Sequence, residues 1–281
     1  MAEPIPNTSS RNRGFTLMEL AITLAVIGLL VGGVIGGQQM IYNAKIRSVL
    51  SQVDLYKEAI QTYEDRYGSL PGDTPNASTL FGATFPNGDG NQHIRHLAGN
   101  PNNNGTDFST PQGELASFFA MLAAAQLIPG RFSHTYVADC VGDTKNFPTF
   151  DWNGPARAGI AAYTHMSQHY LHLGIDPASN PGGIAFIPQF RPNEAHDIDR
   201  KVDDGNPLAG DYTVTQGNMW CAPGYMCTLS VNVHSFLTAP LFGAGADRCV
   251  RAILPTPVYN VGVDTSGSMP CSMRVRFGKR V

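Results

Sequence analysis

The sequence predicts an α+β fold in which one long N-terminal helix, half apolar and half amphipathic, packs on an antiparallel β-sheet with extra helices and long loops. Three observations point there. Residues 15–37 form an apolar run with a single ionisable side chain, Glu19. Residues 46–67 place apolar side chains at spacings of three and four. After about residue 180 the chain breaks into short segments rich in Val, Ile, Phe and Thr. A chain of 281 residues with 42% hydrophobic and 15% charged content can bury a sizeable core. Its net charge of −3 gives no overall basic balance for nucleic acid. Glycine (30) and proline (20) are both common, which suits a loop-rich, β-containing outer part better than a helical bundle.

The apolar run comes first. As a helix, residues 15–37 span roughly 34 Å, enough for the hydrocarbon core of a bilayer. No later segment is comparable, so a single membrane crossing is expected. Arg11 and Arg13 precede the run. Positive flanks stay cytoplasmic, which places the bulk of the chain on the far side. No A-x-A cleavage pattern follows, and the run passes directly into more helix, so it is expected to stay in the mature protein. Composition alone reads it as a plain signal anchor. Gly28, Gly32, Gly33, Gly36 and Gly37 form small-residue pairs four apart (28/32, 32/36 and 33/37). Such faces let helix backbones approach closely in lipid. They also weaken the helix, by about 1 kcal/mol per glycine relative to alanine. A glycine-tolerant membrane helix with no partner is the alternative.

The amphipathic half follows. Ile46, Val49, Leu50, Val53, Tyr56, Ile60, Tyr63 and Tyr67 make one stripe, with Lys45, Arg47, Ser51, Asp54, Glu58, Gln61 and Asp65 between them. Gly68 is a natural stop, with Pro71 beyond it. One helix over 15–67, roughly 80 Å long, results. Its stripe needs a sheet to cover it; a coiled-coil stalk is the other option.

Residues 71–110 read as loop. Within them Asn87, Asp89 and Asn91 put oxygen side chains at alternate positions, as calcium loops do. The EF-hand template fails, because Gln92 stands where glycine belongs and Ala98 where glutamate belongs. An Asn/Gly turn is the competing reading. A helix is predicted from Thr110 as cap and Pro111 in the first turn, with Leu115, Phe118, Phe119 and Leu122 as its buried face. A second helix is predicted over 155–173, ending at Gly174. It would put His165, His169 and His172 on one face, where zinc could bind. No Cys or Glu is interleaved and HExxH is absent, so structural histidines are favoured.

Strands are predicted in 182–190, 211–221, 227–237, 249–255 and 272–281. Leu229, Val231 and Val233 show the alternation most cleanly. Cys140, Cys221, Cys227, Cys249 and Cys271 lie in the exported part, where disulfides form. Proximity in sequence suggests Cys221–Cys227 and Cys249–Cys271. The basic residues Arg274, Arg276, Lys279 and Arg280 read as a solvated strand end rather than a phosphate site. GxSxG, HExxH, phosphate-loop and paired-carboxylate motifs are all absent, so no enzyme is expected.

Arg13-Gly14-Phe15-Thr16-Leu17-Met18-Glu19-Leu20 resembles the processing motif of type IV prepilins and type II secretion pseudopilins. The resemblance implies a pilin-like fold. It implies that a prepilin peptidase cuts between Gly14 and Phe15 and N-methylates Phe15. Residues 1–14 would then be leader, 15–37 a transmembrane or filament-core helix, 38–67 the amphipathic helix and 68–281 an extracytoplasmic domain. It further implies a filament subunit without catalysis, whose partners are the peptidase, other pilin or pseudopilin subunits and an inner-membrane assembly platform. A minor tip subunit, acting as adhesin or as a DNA- or substrate-binding module, is the alternative. Glu19 would pair with the Phe15 amine of a neighbouring subunit in low dielectric and set the axial register. Otherwise it snorkels to headgroups and serves only as a peptidase or assembly signal. The stretches "RYGSLPGD", "GELASFF" and "EAHDIDRKVDDGNPLAGDY" resemble a recurrent prepilin-type group and imply shared fold rather than chemistry.

Overall fold

The computed structural model describes residues 15–94, 113–135, 137, 145–150, 152, 158–165, 168–175, 189–216, 249–253, 256–259, 261 and 271–278. The chain divides into two compact units, residues 1–47 and residues 48–281.

In the first unit helix α1 begins. It runs unbroken over Leu17–Tyr67, through all five glycines. Large apolar side chains from Phe15 to Ile41 are exposed, Leu17 at 88% and Leu29 at 79%. By length and composition this helix suits a membrane crossing, and its most apolar window is 0% buried.

In the second unit the later part of α1 buries the predicted stripe. Val49, Val53, Tyr56, Ile60 and Tyr63 are all buried, while Leu50 and Tyr67 are half-buried. Gly68 ends the helix in the left-handed region (φ 70°), its amide donating to the Glu64 carbonyl at 2.8 Å. The stripe faces a five-stranded antiparallel sheet of β1 (Thr149–Phe150), β2 (Ala158–His165), β3 (Gln168–Ile175), β7 (Cys271–Phe277) and β4 (Tyr212–Gln216), in that spatial order. Register brings Leu171 and Leu173 of β3 beside Val275 and Met273 of β7, and those beside Tyr212 and Val214 of β4. Side chains alternate across a strand, so these residues share one apolar face. Helix α1 lies on this side: Gln52 donates to the Thr149 carbonyl at 2.9 Å, and the Lys57 ammonium sits 5.9 Å over the Tyr212 ring.

Helix α3 (Glu114–Ala124) is buried over every residue from Glu114 to Leu122, more than the one face its sequence suggested. Phe119 meets Tyr56 edge-on at 5.4 Å, and Phe118 lies 6.2 Å from Phe277, so α3 links α1 to β7. A helix that is apolar all round belongs in a core. It starts at Gly113 (φ 63°); Thr110 and Pro111 lie outside the described residues. A short helix α2 (Ala77–Phe81) interrupts the predicted loop, α4 spans Pro192–Val202, and β5 (Val250–Ile253) with β6 (Thr256–Tyr259) forms a separate hairpin. A disulfide joins Cys249, beside β5, to Cys271 at the start of β7. Cys140, Cys221, Cys227 and the strand expected over 227–237 lie outside the described residues, as does most of 182–190. Phe190 there bridges Cys271.

The helix predicted over 155–173 is absent. Residues 158–165 and 168–175 are β2 and β3, paired antiparallel. The alanines of 156–162 carry helical propensity, but that is a weak prior. Tyr170, Leu171, His172 and Leu173 alternate, and the partners on β7 settle the outcome.

Candidate functional site

The N-terminal segment is built from the helix start. Gly14 lies outside the described residues, and Phe15 is 89% exposed. Thr16 is the cap of α1. The Thr16 amide donates to Glu19 Oε2 at 2.9 Å, the Thr16 hydroxyl donates to the same oxygen at 2.9 Å, and the Glu19 amide donates to Thr16 Oγ1 at 3.2 Å. This is a reciprocal capping box, which satisfies two amides that a helix start otherwise leaves open. Its sequence signal, Thr-x-x-Glu before an apolar run, was legible. That pattern gives Glu19 a capping role inside its own chain, beside the partner and signal roles that the resemblance implies. A Cβ placed on Gly28, Gly32, Gly33, Gly36 or Gly37 would meet nothing within 4 Å, so contacts inside the subunit do not require glycine there.

A second feature is the loop around Asp73. Gly72 turns the chain at φ 87°, and Asp73 is fully buried. Its Oδ1 accepts from the Gly90 and Asn91 amides at 2.7 and 3.2 Å, and its Oδ2 from the Gln92 amide at 2.7 Å. The "NGDGN" loop therefore turns backbone amides, not only side-chain oxygens, inward. Asn87 accepts from the Ser78 amide, Asp89 from Asn91, and Asn91 from the His93 amide. The carboxylates that converge are Asp73, Asp89 and Glu114, each able to bring an oxygen within 4.8 Å of the others. Only Asp89 belongs to the predicted calcium set. A second cluster, Asp199, Asp203 and Asp204, forms where α4 ends. Here Asp199 accepts from the Tyr259 hydroxyl at 2.7 Å and the Gly205 amide at 3.2 Å. Asp203 accepts from the Tyr212 amide at 2.8 Å and so ties the end of α4 to the start of β4. Either cluster could hold a divalent cation. No element is predicted from the sequence around residues 199, 203 and 204, and their convergence depends on α4 and the turn after it.

His169 and His172 sit on opposite faces of β3, so they do not share the single face that a helix would have given them. His169 bonds to the Thr164 hydroxyl through Nδ1 at 2.8 Å and stacks on Phe277. Burial pushes His169 down to about 4, with help from His93. Burial and the Arg274 charge push His172 down to about 3. Burial moves Asp73 and Asp199 the other way, each up to about 6, against the pull of the groups that donate to them. Arg274 is buried and donates to Thr213 Oγ1 at 2.8 Å, while Arg276 pairs with Asp211. Neither is arranged for phosphate. Lys279 and Arg280 lie outside the described residues.

These groups make opposing demands on stability. The folded chain refuses imidazole protons that the unfolded chain takes up below 6.5, so the histidine contribution falls as pH falls towards 4. The folded chain holds carboxyl protons that the unfolded chain has released above 3.8, so the Asp73 and Asp199 contribution falls as pH rises towards 6. Two groups oppose two, and the unfolding midpoint is expected to change little across that window. Asp199→Asn removes one opposing group. The variant should then lose more stability on acidification than the wild type does. Thermal unfolding at several pH values checks this, and an equally flat profile in the variant contradicts it.

A family model, the prokaryotic N-terminal methylation motif, matches residues 9–35. No curated protein and no solved structure matches the chain. The matched segment contains Thr16, Glu19 and three of the five glycines of the exposed helix, and its recognition by a prepilin peptidase is implied. The chain therefore carries a prokaryotic cleavage and methylation motif characteristic of prepilin-like proteins, at the head of a pilin-like α+β fold.

Proposed function

We propose that this protein is a structural subunit of a type IV pilus or type II secretion filament, matured by prepilin peptidase and assembled through its N-terminal helix. One observation carries the reading: the methylation motif opens onto an apolar helix whose side chains are exposed in the isolated chain. That surface has to be covered, first by lipid and then by copies of itself. Residues 1–14 are the leader, cut between Gly14 and Phe15, and Phe15 is N-methylated. The protein starts as a single-pass inner-membrane protein with a cytoplasmic N-terminus. An assembly platform then draws it into a periplasmic or extracellular filament. Glu19 pairs with the methylated amine of an adjoining Phe15, and the open glycine faces let neighbouring helices approach. The role is non-catalytic.

Mass spectrometry of the N-terminus of the native protein tests this. An N-methyl-phenylalanine at Phe15 supports it, and an intact Met1 with the peptidase present removes it. Calcium is the cation that the all-oxygen clusters would suit, with Asp89, Asp73 and Glu114 as one candidate set. Binding would relieve the cost of the buried Asp73 charge, so millimolar calcium should raise the unfolding midpoint. An unchanged midpoint removes calcium from this reading.

A further inference from the structure

We infer that the outward face of α1 in the second unit docks onto another copy of this chain, with Asp54 and Glu58 of one copy meeting Arg131 of the next; the inference rests on the filament reading above. Asp54 and Glu58 are exposed and stand four residues apart, as neighbours on the helix surface. Like charges so placed repel each other. Among the described residues neither carboxylate forms a hydrogen bond or an ion pair. Lys57, between them in sequence, sits over the Tyr212 ring instead. Leu55 lies beside them, 39% exposed, and adds an apolar contact.

The complementary face lies beyond α3. Arg131 is exposed, and among the described residues it pairs with no carboxylate. The described residues from 125 to 150 include no acid, and they bring a second cation, Lys145, whose carbonyl accepts from the Ser133 amide at 2.8 Å. Phe132, half-buried, gives Leu55 an apolar counterpart. Within one copy the two faces point apart. Tyr56 turns inward and meets Phe119, which lies 5.9 Å from Phe132, next to Arg131. Positions 54 and 58 are each two residues from 56, about 200° around the helix, so they point outward. Opposite charges on different sides of one subunit make a heterologous contact. Such a contact repeats from copy to copy and builds a filament unless it closes into a ring.

The test uses the full chain in cells that make the filament. Incorporation into sheared filaments is counted per processed molecule, with processing read by mass spectrometry. Arg131→Glu should lower incorporation about tenfold or more, and so should Asp54→Lys with Glu58→Lys, the scale of close charge pairs at interfaces. All three substitutions in one chain restore opposite charges across every contact, and incorporation should return to within about threefold of the wild type. Wild-type incorporation by either reversed variant overturns the proposal. A combined chain no better than the worse of the two also overturns it, and assigns these faces to a different partner. Either result in a correctly processed chain leaves the filament reading standing. A native chain that keeps Met1–Gly14 refutes that reading, and this proposal with it.

Discussion

A Glu19→Gln chain is expected to be processed, inserted and folded, yet to enter filaments at less than about a tenth of the wild-type level. Glutamine is the sharpest substitution because it changes so little else. Its carbonyl oxygen can still accept from the Thr16 amide and hydroxyl, as Glu19 Oε2 does at 2.9 Å in each case. The helix start stays capped. The charge alone is lost, and on the proposed filament reading a neighbouring amine in low dielectric then has no counter-ion. Breaking a buried ion pair from one side costs roughly 3–5 kcal/mol, and each 1.4 kcal/mol is tenfold in association. Filament yield relative to membrane-inserted subunit is the quantity to measure. Wild-type yield from the variant would mean that the charge does not set the register.

Gly72→Ala is expected to cost about 3–5 kcal/mol of stability in the outer unit, summing backbone strain and overpacking. Gly72 has a φ of 87°, a region that alanine adopts only under strain. A Cβ there would also lie 2.3 Å from the Glu114 carbonyl oxygen. That atom belongs to the first turn of the buried helix α3, so it cannot swing aside as a side chain could. Relief would have to come from moving Asp73, with its three amide bonds, or α3 with Phe118 and Phe119. Thermal unfolding of the detergent-solubilised chain measures the effect. A midpoint within a degree or two of wild type would show that the turn can open without disturbing the core.

These two sites differ in how legible they were. Glu19 stands in the first turn of the apolar helix, inside the matched motif, so residue types and spacing single it out as a candidate. The same spacing carries the Thr16 capping box, whose signal is Thr-x-x-Glu and not the charge alone. The Gly72–Glu114 contact joins residues far apart in sequence, and nothing in "LPGDTP" announces its partner. The histidines show the same limit. An alanine-rich stretch read as helix, but pairing of Leu171 with Val275 and of Leu173 with Met273 decided for strand.

The sequence by itself determined the apolar run long enough to cross a membrane, the cleavage and methylation motif, the stripe from Val49 to Tyr63 and the stop at Gly68. Each depends on a local period or a local backbone preference, which needs no partner to be read. Only the tertiary structure decided that α3 is buried over Glu114 to Leu122, that residues 158–165 pair antiparallel with 168–175, and that the acidic groups converge at Asp73–Asp89–Glu114 and Asp199–Asp203–Asp204. Those outcomes depend on which surfaces meet across long stretches of chain. Burial and strand pairing between distant segments outweigh the small local propensities that a sequence displays.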